Sequence, residues 1–597
     1  MKNIKNLLLA FALLATGAFS TSCSLDEENP GGFTLEALST SVEGYESLIN
    51  QCFFGMERRM YGTEYWMFFS EGDSDLWTLN GNKTTSYTQW LWFFGGAAPN
   101  TTYTNDLWNC IYDGIGGCNL AISLKNNPPF ATEAERNAKV AVAHFMRAIY
   151  YFNAVEQFGA VVKLTEPQTS ANYAPTRTAP MDIYETIILP DLEFAAKWLP
   201  VGDHNTTTTP TKKAAMGMLA KAYLTTYYYG TTEYVDDALE IAKQLIADCE
   251  AGGATYNTHM YADYADVFAE ANNFANKEAL WKHRWNSSGS SNGNYKLNFY
   301  DQKFMCNIFK FGALTNTYQY RMTWEGDASG QFQPTQHLLN LFVQEDGTLD
   351  PRFHQIFTTE WKANKTYTWT ADDATNLLKD ASVAGKAVNE GELAIKFVMP
   401  QDADYATAVA NKKTSTELIV DYKDVYDDAN KKVIDKNSDG TDRILNVFFP
   451  SLNKHNSSNY FVANAAKGRI GNLNGTFIMR MAEIYLIAAE ADIVANGGAN
   501  AMGYINKVRN RAGAKPLSGT ATIRTVLDER ARELCGEGMR FYDLKRTGMF
   551  KDASYLKATH PDLAQFFKPE YALRPISTTY LNTLSNGTAP EMQNPGY

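Results

Sequence analysis

No CxxC pair, HExxH run, phosphate-binding glycine loop or dinucleotide fingerprint occurs anywhere in this 597-residue chain. Zinc sites, metalloprotease chemistry and nucleotide binding therefore lack the residues they require. A basic run is missing too. Lysine and arginine number 54 against 66 acids, a net charge of −12, and phosphate contacts to nucleic acid depend on Lys and Arg. Beyond the leader, no apolar run approaches the roughly 20 residues that a membrane-spanning helix needs. The eight histidines are scattered and form no recognisable pair. Glycosidase chemistry survives these exclusions, because its carboxylates carry no short signature.

The first residues follow the layout of a secretory signal. Lys2 and Lys5 form a basic region, residues 7–18 are almost wholly apolar, and small residues Ser20, Thr21 and Ser22 precede Cys23. A cysteine in that position predicts a bacterial lipoprotein acylated at Cys23 after cleavage, although Ser20 stands where a leucine is usual. The alternative is a soluble periplasmic protein cut at a plain signal site. Loss of residues 1–22 removes two lysines and no acid, taking the charge from −12 to −14. Residues 24–34 (SLDEENPGGFT) are acidic, then rich in Pro and Gly, and predict a flexible tether.

Helical patterning begins near Leu35. Apolar residues in 131–159, among them Phe145, Met146, Tyr151 and Phe152, recur at three- and four-residue steps and give a wide buried face. Residues 213–229 and 234–249 read as two helices joined by a Gly-Thr-Thr turn, and 481–494 with 501–511 as a second pair around Gly497-Gly498. Small residues such as Ala220, Ala222 and Ala238 fall where helices approach closely, as in tetratricopeptide-type hairpins. Two unrelated amphipathic hairpins are the alternative. Residues 251–480 are rich in Gly, Asn, Ser, Thr and Asp, and predict a loop-rich insertion with short strands on a helical scaffold. Loops held by a rigid scaffold are where binding residues tend to sit. Apart from Cys23, six cysteines remain; Cys110 and Cys118 could pair in an oxidising compartment, or be buried helical thiols.

Aromatic residues make up 13% of the chain, more than a core needs, which points to an exposed aromatic binding surface. Sugar rings present C–H groups that lie on flat aromatic faces, while polar neighbours bond the hydroxyls. Trp77 stands between Asp75 and an Asn-Gly turn, and Trp285 precedes Asn-Ser-Ser-Gly, so both are expected to be exposed. Tyr300 and Trp324 lie in polar surroundings with Asn316 and Arg321 nearby. These six residues are the candidate glycan contacts, each weighed against ordinary packing. Trp108, Trp198 and Trp281 sit in apolar patterns and are expected in the core. Glu529, Glu533 and Glu537 share one helical face, which suits either a glycosidase acid and base or ion pairs with Arg530, Arg532, Arg540 and Arg546. Asp435, Asn437 and Asp439 before Gly440 open like a calcium loop, but Asn446 stands where its closing Glu belongs. A hairpin turn between Val433 and Ile444 is the competing reading. No cofactor is implied apart from that weak calcium alternative.

Several blocks, in order behind the leader, resemble the SusD/RagB family of outer-membrane nutrient-binding lipoproteins. They are LWNCIYDGIGGCNLAI (107–122), HFMRAIYYFNAVEQFGAVVKL (144–164), RTAPMDIYETIILPDLEFAAKWLP (177–200), TKKAAMGMLAKAYL (211–224), RMAEIYLIAAEA (480–491), INKVRNRAG (505–513), DERARELCGEGMRFYDLKR (528–546) and the terminal LRPIS…QNPGY (573–597). The resemblance implies a mainly α fold on four tetratricopeptide-like hairpins. Residues 1–22 would be the signal and 23–34 the lipidated tether. Residues 35–597 would form one domain, with scaffold at 35–250 and 480–546, a loop-rich binding region at 251–479 and a C-terminal segment at 547–597. The resemblance further implies a non-enzymatic cell-surface binder that captures an oligosaccharide and delivers it to a SusC-like TonB-dependent transporter. A peptide-binding member of the same family and a surface glycoside hydrolase are the alternatives.

Overall fold

The computed structural model describes residues 34–597 except 63–64, 73, 80–101, 203–207, 286–331, 364, 373, 375–379, 427–432, 437–441, 445–448, 456–460, 465–468, 472 and 586–587. Its scaffold is a succession of packed helices. They are α1 (Val42–Gln51), α2 (Thr102–Ser123), α3 (Glu133–Phe158), α4 (Leu189–Trp198), α5 (Lys212–Tyr227), α6 (Val235–Glu250), α7 (Met481–Asn496), α8 (Ala501–Arg511), α9 (Ile523–Leu534) and the short α10 (Arg540–Arg546). Along this series each helix from α2 to α8 packs against the one before it. The mainly α, hairpin-built architecture anticipated from the periodicity is therefore the one observed.

Local sequence accounts for the helix ends. Thr132 caps α3 by accepting the Glu135 N–H at 3.1 Å, and Gly159, at φ 74°, stops it. Gly497 ends α7 in the left-handed region at φ 65°. Helices α5 and α7 are buried on nearly every side, and the charges they carry inward are paired, Lys221 with Glu483 and Glu490 with Arg546. Gly217 allows α5 to approach the sheet beneath it: a Cβ there would stand 2.5 Å from Met479 Sδ and 2.9 Å from Leu280 Cδ2.

α6 and α7 pack side by side, although the chain between them runs from residue 251 to 480. That stretch leaves the helical row and returns to it. It carries β2 (Ala279–His283), β3 (Phe332–Pro334), β4 (Phe357–Thr358), β5 (Glu360–Lys362), β6 (Leu393–Val398), β7 (Leu418–Asp421), β8 (Val433–Lys436), β9 (Asp442–Ile444), β10 (Ser451–Leu452) and β11 (Thr476–Arg480), while β1 (Trp77–Leu79) precedes α2. β11 pairs antiparallel with β2 and leads directly into α7, tying the insertion to the scaffold. A three-stranded sheet runs β7-β6-β5, and β10 pairs with β4. Cys110 and Cys118 are buried thiols on α2, as the helical-thiol reading expects, and Cys52 and Cys535 are buried at the ends of α1 and α9.

Candidate functional site

Trp77 lies on β1, which pairs antiparallel with β3, with Leu79 opposite Phe332. The pair is clamped from below. Asp75 is buried and takes a two-pronged bond from Arg540, Nε to Oδ1 at 2.7 Å and Nη2 to Oδ2 at 2.8 Å. The Tyr555 hydroxyl donates to the same carboxylate, and half-buried His337 lies 3.5 Å away. Burial alone would raise Asp75, but the Arg540 guanidinium holds its carboxyl well below the usual range. Glu71 accepts the N–H groups of Gly538 at 2.8 Å and Met539 at 3.0 Å. Thr335 bonds the Asp75 carbonyl at 2.8 Å, joining the start of β1 to the end of β3.

This arrangement corrects the expectation for Trp77. Its ring is fully buried, and its indole N–H donates to Glu71 Oε2 at 2.9 Å. Asp75, one of the neighbours that suggested exposure, is itself buried and satisfied by Arg540, 465 positions away in sequence. Trp285 is corrected likewise: it is 5% exposed and stands edge-on to His283, ring centres 4.7 Å apart. Burial pushes His283 down to about 3, so the pair is a neutral aromatic contact. Tyr300, Asn316, Arg321 and Trp324 lie outside the described residues, as does Cys23. Trp281 and Trp108 are core residues, and Trp198 packs partly buried against the core.

Glu529 and Glu533 share a face of α9, whereas Glu537, expected on the same face, lies beyond the helix end at Leu534; each is bound into ion pairs. Arg352 donates to Glu529 at 2.7 Å and to Glu533 at 2.9 Å while gripping Asp350. Arg480 reaches Glu533 at 2.6 Å, Glu278 at 2.9 Å and Glu537 at 2.8 Å. Arg509 and Arg532 complete the shell of Glu529, Arg511 adds to that of Glu533, and Lys454 to that of Glu537. Burial would raise Glu529, yet Arg352, Arg532 and Arg509 bring it down to about 2. A glycosidase acid must instead keep its proton near neutral pH. The ion-pair reading is the one the geometry follows. Its main arginines, 352, 480 and 509, stand outside the block from which pairing was anticipated, and no spacing in the sequence pointed to them.

For Asp435, Asn437 and Asp439, the described strands form a hairpin: Val433 faces Ile444 and Asp435 faces Arg443 across β8 and β9. Asn437 and Asp439 lie outside the described residues. Among the described residues no helix is long and apolar enough to cross a membrane.

Comparison with known proteins adds two family matches. One family, described as the SusD family, matches residues 277–597, more than half of the chain. Another, described as starch-binding associating with outer membrane, matches residues 27–224. SusD-like protein P25 of Formosa agariphila is 42% identical over 91 residues, 14% of this chain and 17% of that protein. The starch-binding protein SusD of Bacteroides thetaiotaomicron is 43% identical over 79 residues, 13% of this chain and 14% of that protein. The chain thus matches less than a fifth of the length of either relative. A solved laminarin binding SusD-like protein superposes with a TM-score of 0.61 at 20% identity, over 94% of this chain and 100% of that one, which speaks for the fold. With a family match over more than half its length and this fold over nearly all of it, the chain belongs to the SusD family.

Proposed function

We propose that this chain is a cell-surface lipoprotein, anchored through Cys23, that captures a glycan and hands it to a SusC-like TonB-dependent transporter without cleaving it. The observation that carries the reading is family membership, joined to relatives described as starch-binding, laminarin binding and outer-membrane associated. Tyr300 and Trp324 would stack on sugar rings, and Asn316 and Arg321 would bond hydroxyls. Modest affinity is expected, since a wet site exchanges water hydrogen bonds for sugar hydrogen bonds at small net gain.

The test is a binding screen of the full-length protein in detergent against starch, laminarin, other polysaccharides and peptides, with reducing-end release followed in parallel. Trp324→Ala and Tyr300→Ala run beside the wild type. Glycan binding without release, weakened by either substitution while the melting temperature holds, is the expected result. Binding untouched by both removes the proposed contacts and leaves the function standing. Release of reducing ends overturns the non-enzymatic reading, and peptide binding alone replaces the ligand class. Co-purification with a TonB-dependent barrel tests the handover separately.

A further inference from the structure

Away from the β1–β3 junction, a cleft of about 530 Å³ opens where the three-stranded sheet meets the β4–β10 pair. That volume lies within the roughly 300–1,000 Å³ of small-ligand clefts. Its floor is Phe357 and Phe397, both buried. Its polar lining comes from separate elements: His354 before β4, Glu360 on β5, Lys396 on β6, Asp402 and Asp404 on the following turn, and Asn453 after β10. Pairing sets their positions, since β6 places Lys396 opposite Glu360, and Thr359 accepts the Phe397 N–H at 2.8 Å.

The groups are held in place before any ligand arrives. Asp402 accepts the Met399 N–H at 2.8 Å and faces His354 Nε2 at 2.9 Å, while His354 Nδ1 lies 3.4 Å from the Thr359 hydroxyl. Lys396 donates to Asp404 Oδ2 at 2.7 Å and stands 3.1 Å from Glu360 Oε1. The ammonium keeps a third N–H, and the Glu360 and Asp404 carboxylates each keep a second oxygen for a ligand, while both oxygens of Asp402 are engaged. Glu360, Asp404 and His354 are each about half exposed, at 53%, 54% and 51% of their side-chain surface. Rigid acceptors beside a cationic donor, a flat imidazole and an apolar floor suit a polyhydroxylated ring, whose vicinal hydroxyls both donate and accept. The lining carries three carboxylates against one ammonium, so an anionic sugar would be repelled.

We propose that this cleft is a second carbohydrate subsite, selective for uncharged sugars. It rests on the glycan-binding reading above and adds a site which that reading does not contain. A second point of attachment would raise the retention of long chains by multivalency without any new contact at the first.

Calorimetry of the full-length protein in detergent with maltoheptaose, laminariheptaose and oligogalacturonate tests it, using wild type, Glu360→Gln/Asp404→Asn, Lys396→Met and Trp324→Ala. The expected result is two binding events for a neutral oligosaccharide on the wild type. The double substitution and Lys396→Met should each weaken only one event, by about tenfold or more, and oligogalacturonate should not produce it. Crystals of the wild type soaked in the same oligosaccharide should show sugar between Lys396 and Asn453, which keeps the proposal testable if a variant misfolds. A single event indifferent to the cleft substitutions, or an empty cleft in the soaked crystal, overturns the subsite and leaves glycan capture intact. No binding of any glycan by the wild type removes both.

Discussion

Trp77 and Arg352 show how single residues in this protein act through partners far along the chain. Trp77 is enclosed and hydrogen-bonded to Glu71, so its truncation removes a large buried ring and leaves a carboxylate short of a donor. We predict that Trp77→Ala lowers unfolding stability by about 3–5 kcal/mol, the range for large aromatic truncations in cores. Urea unfolding followed by circular dichroism measures this. A variant of native stability with impaired sugar binding would instead make Trp77 a ligand contact. Arg352 neutralises Asp350, Glu529 and Glu533 together, all buried. Arg352→Met would strand those charges, and we predict a loss of about 3–5 kcal/mol, as for removing one partner of a buried ion pair. The same urea titration decides it, and a loss under 1 kcal/mol would mean that Arg509 and Arg480 compensate.

At the scale of elements, a small residue sets how closely a helix and the strands beneath it can approach. On α5, Gly217 faces Met479 of β11 and Leu280 of β2 closer than a methyl group allows. We predict that Gly217→Val costs about 1–3 kcal/mol through overpacking, with a lowered melting temperature in calorimetry. Gly503 on α8 has open space around the position of a Cβ. Gly503→Ala should therefore stabilise by about 0.5–1 kcal/mol, by restricting the unfolded backbone and favouring helix. Opposite signs at two helical glycines separate packing from propensity, and equal signs would show that the α5–β11 contact yields without cost. The helix pairs 213–229 with 234–249 and 481–494 with 501–511 were legible because their apolar period and their turns are local properties. The strand pairings were not, since β1 joins β3 and β2 joins β11 across more than a hundred residues each.

For the whole molecule, the buried ion-pair network sets the acid limit of stability. Glu529 and Asp543 are buried groups that nearby arginines hold down to about 2, against ordinary values of 4.5 and 3.8. Their folded pKa lies below the unfolded one. The stability they supply is thus complete above those ordinary values and is lost as pH falls toward 2. We predict a melting temperature that is flat in these groups' contribution down to about pH 5 and falls steadily below pH 4. Because the network is buried, 1 M salt should shift that fall little, whereas surface pairs are screened within a few ångströms. A midpoint that rises between pH 4 and pH 2, or a fall abolished by salt, would contradict the assignment.

The sequence by itself determined the helical scaffold, its hairpin turns and the family, because helix periodicity, capping and ordered blocks are written in neighbouring residues. It also marked Glu529 and Glu533 as one face with arginines close at hand, but not that the helix ends before Glu537. Only the tertiary structure decided which aromatics are buried: Trp77 is enclosed where Gly538, Met539 and Arg540 satisfy Glu71 and Asp75 from far along the chain, and Trp285 is buried against His283. Only it assembled the cleft of His354, Glu360, Lys396 and Asp404, whose members lie on separate strands and turns and share no motif. Burial and cavity shape are properties of contacts between distant segments, and such contacts leave little trace in the local order of residues.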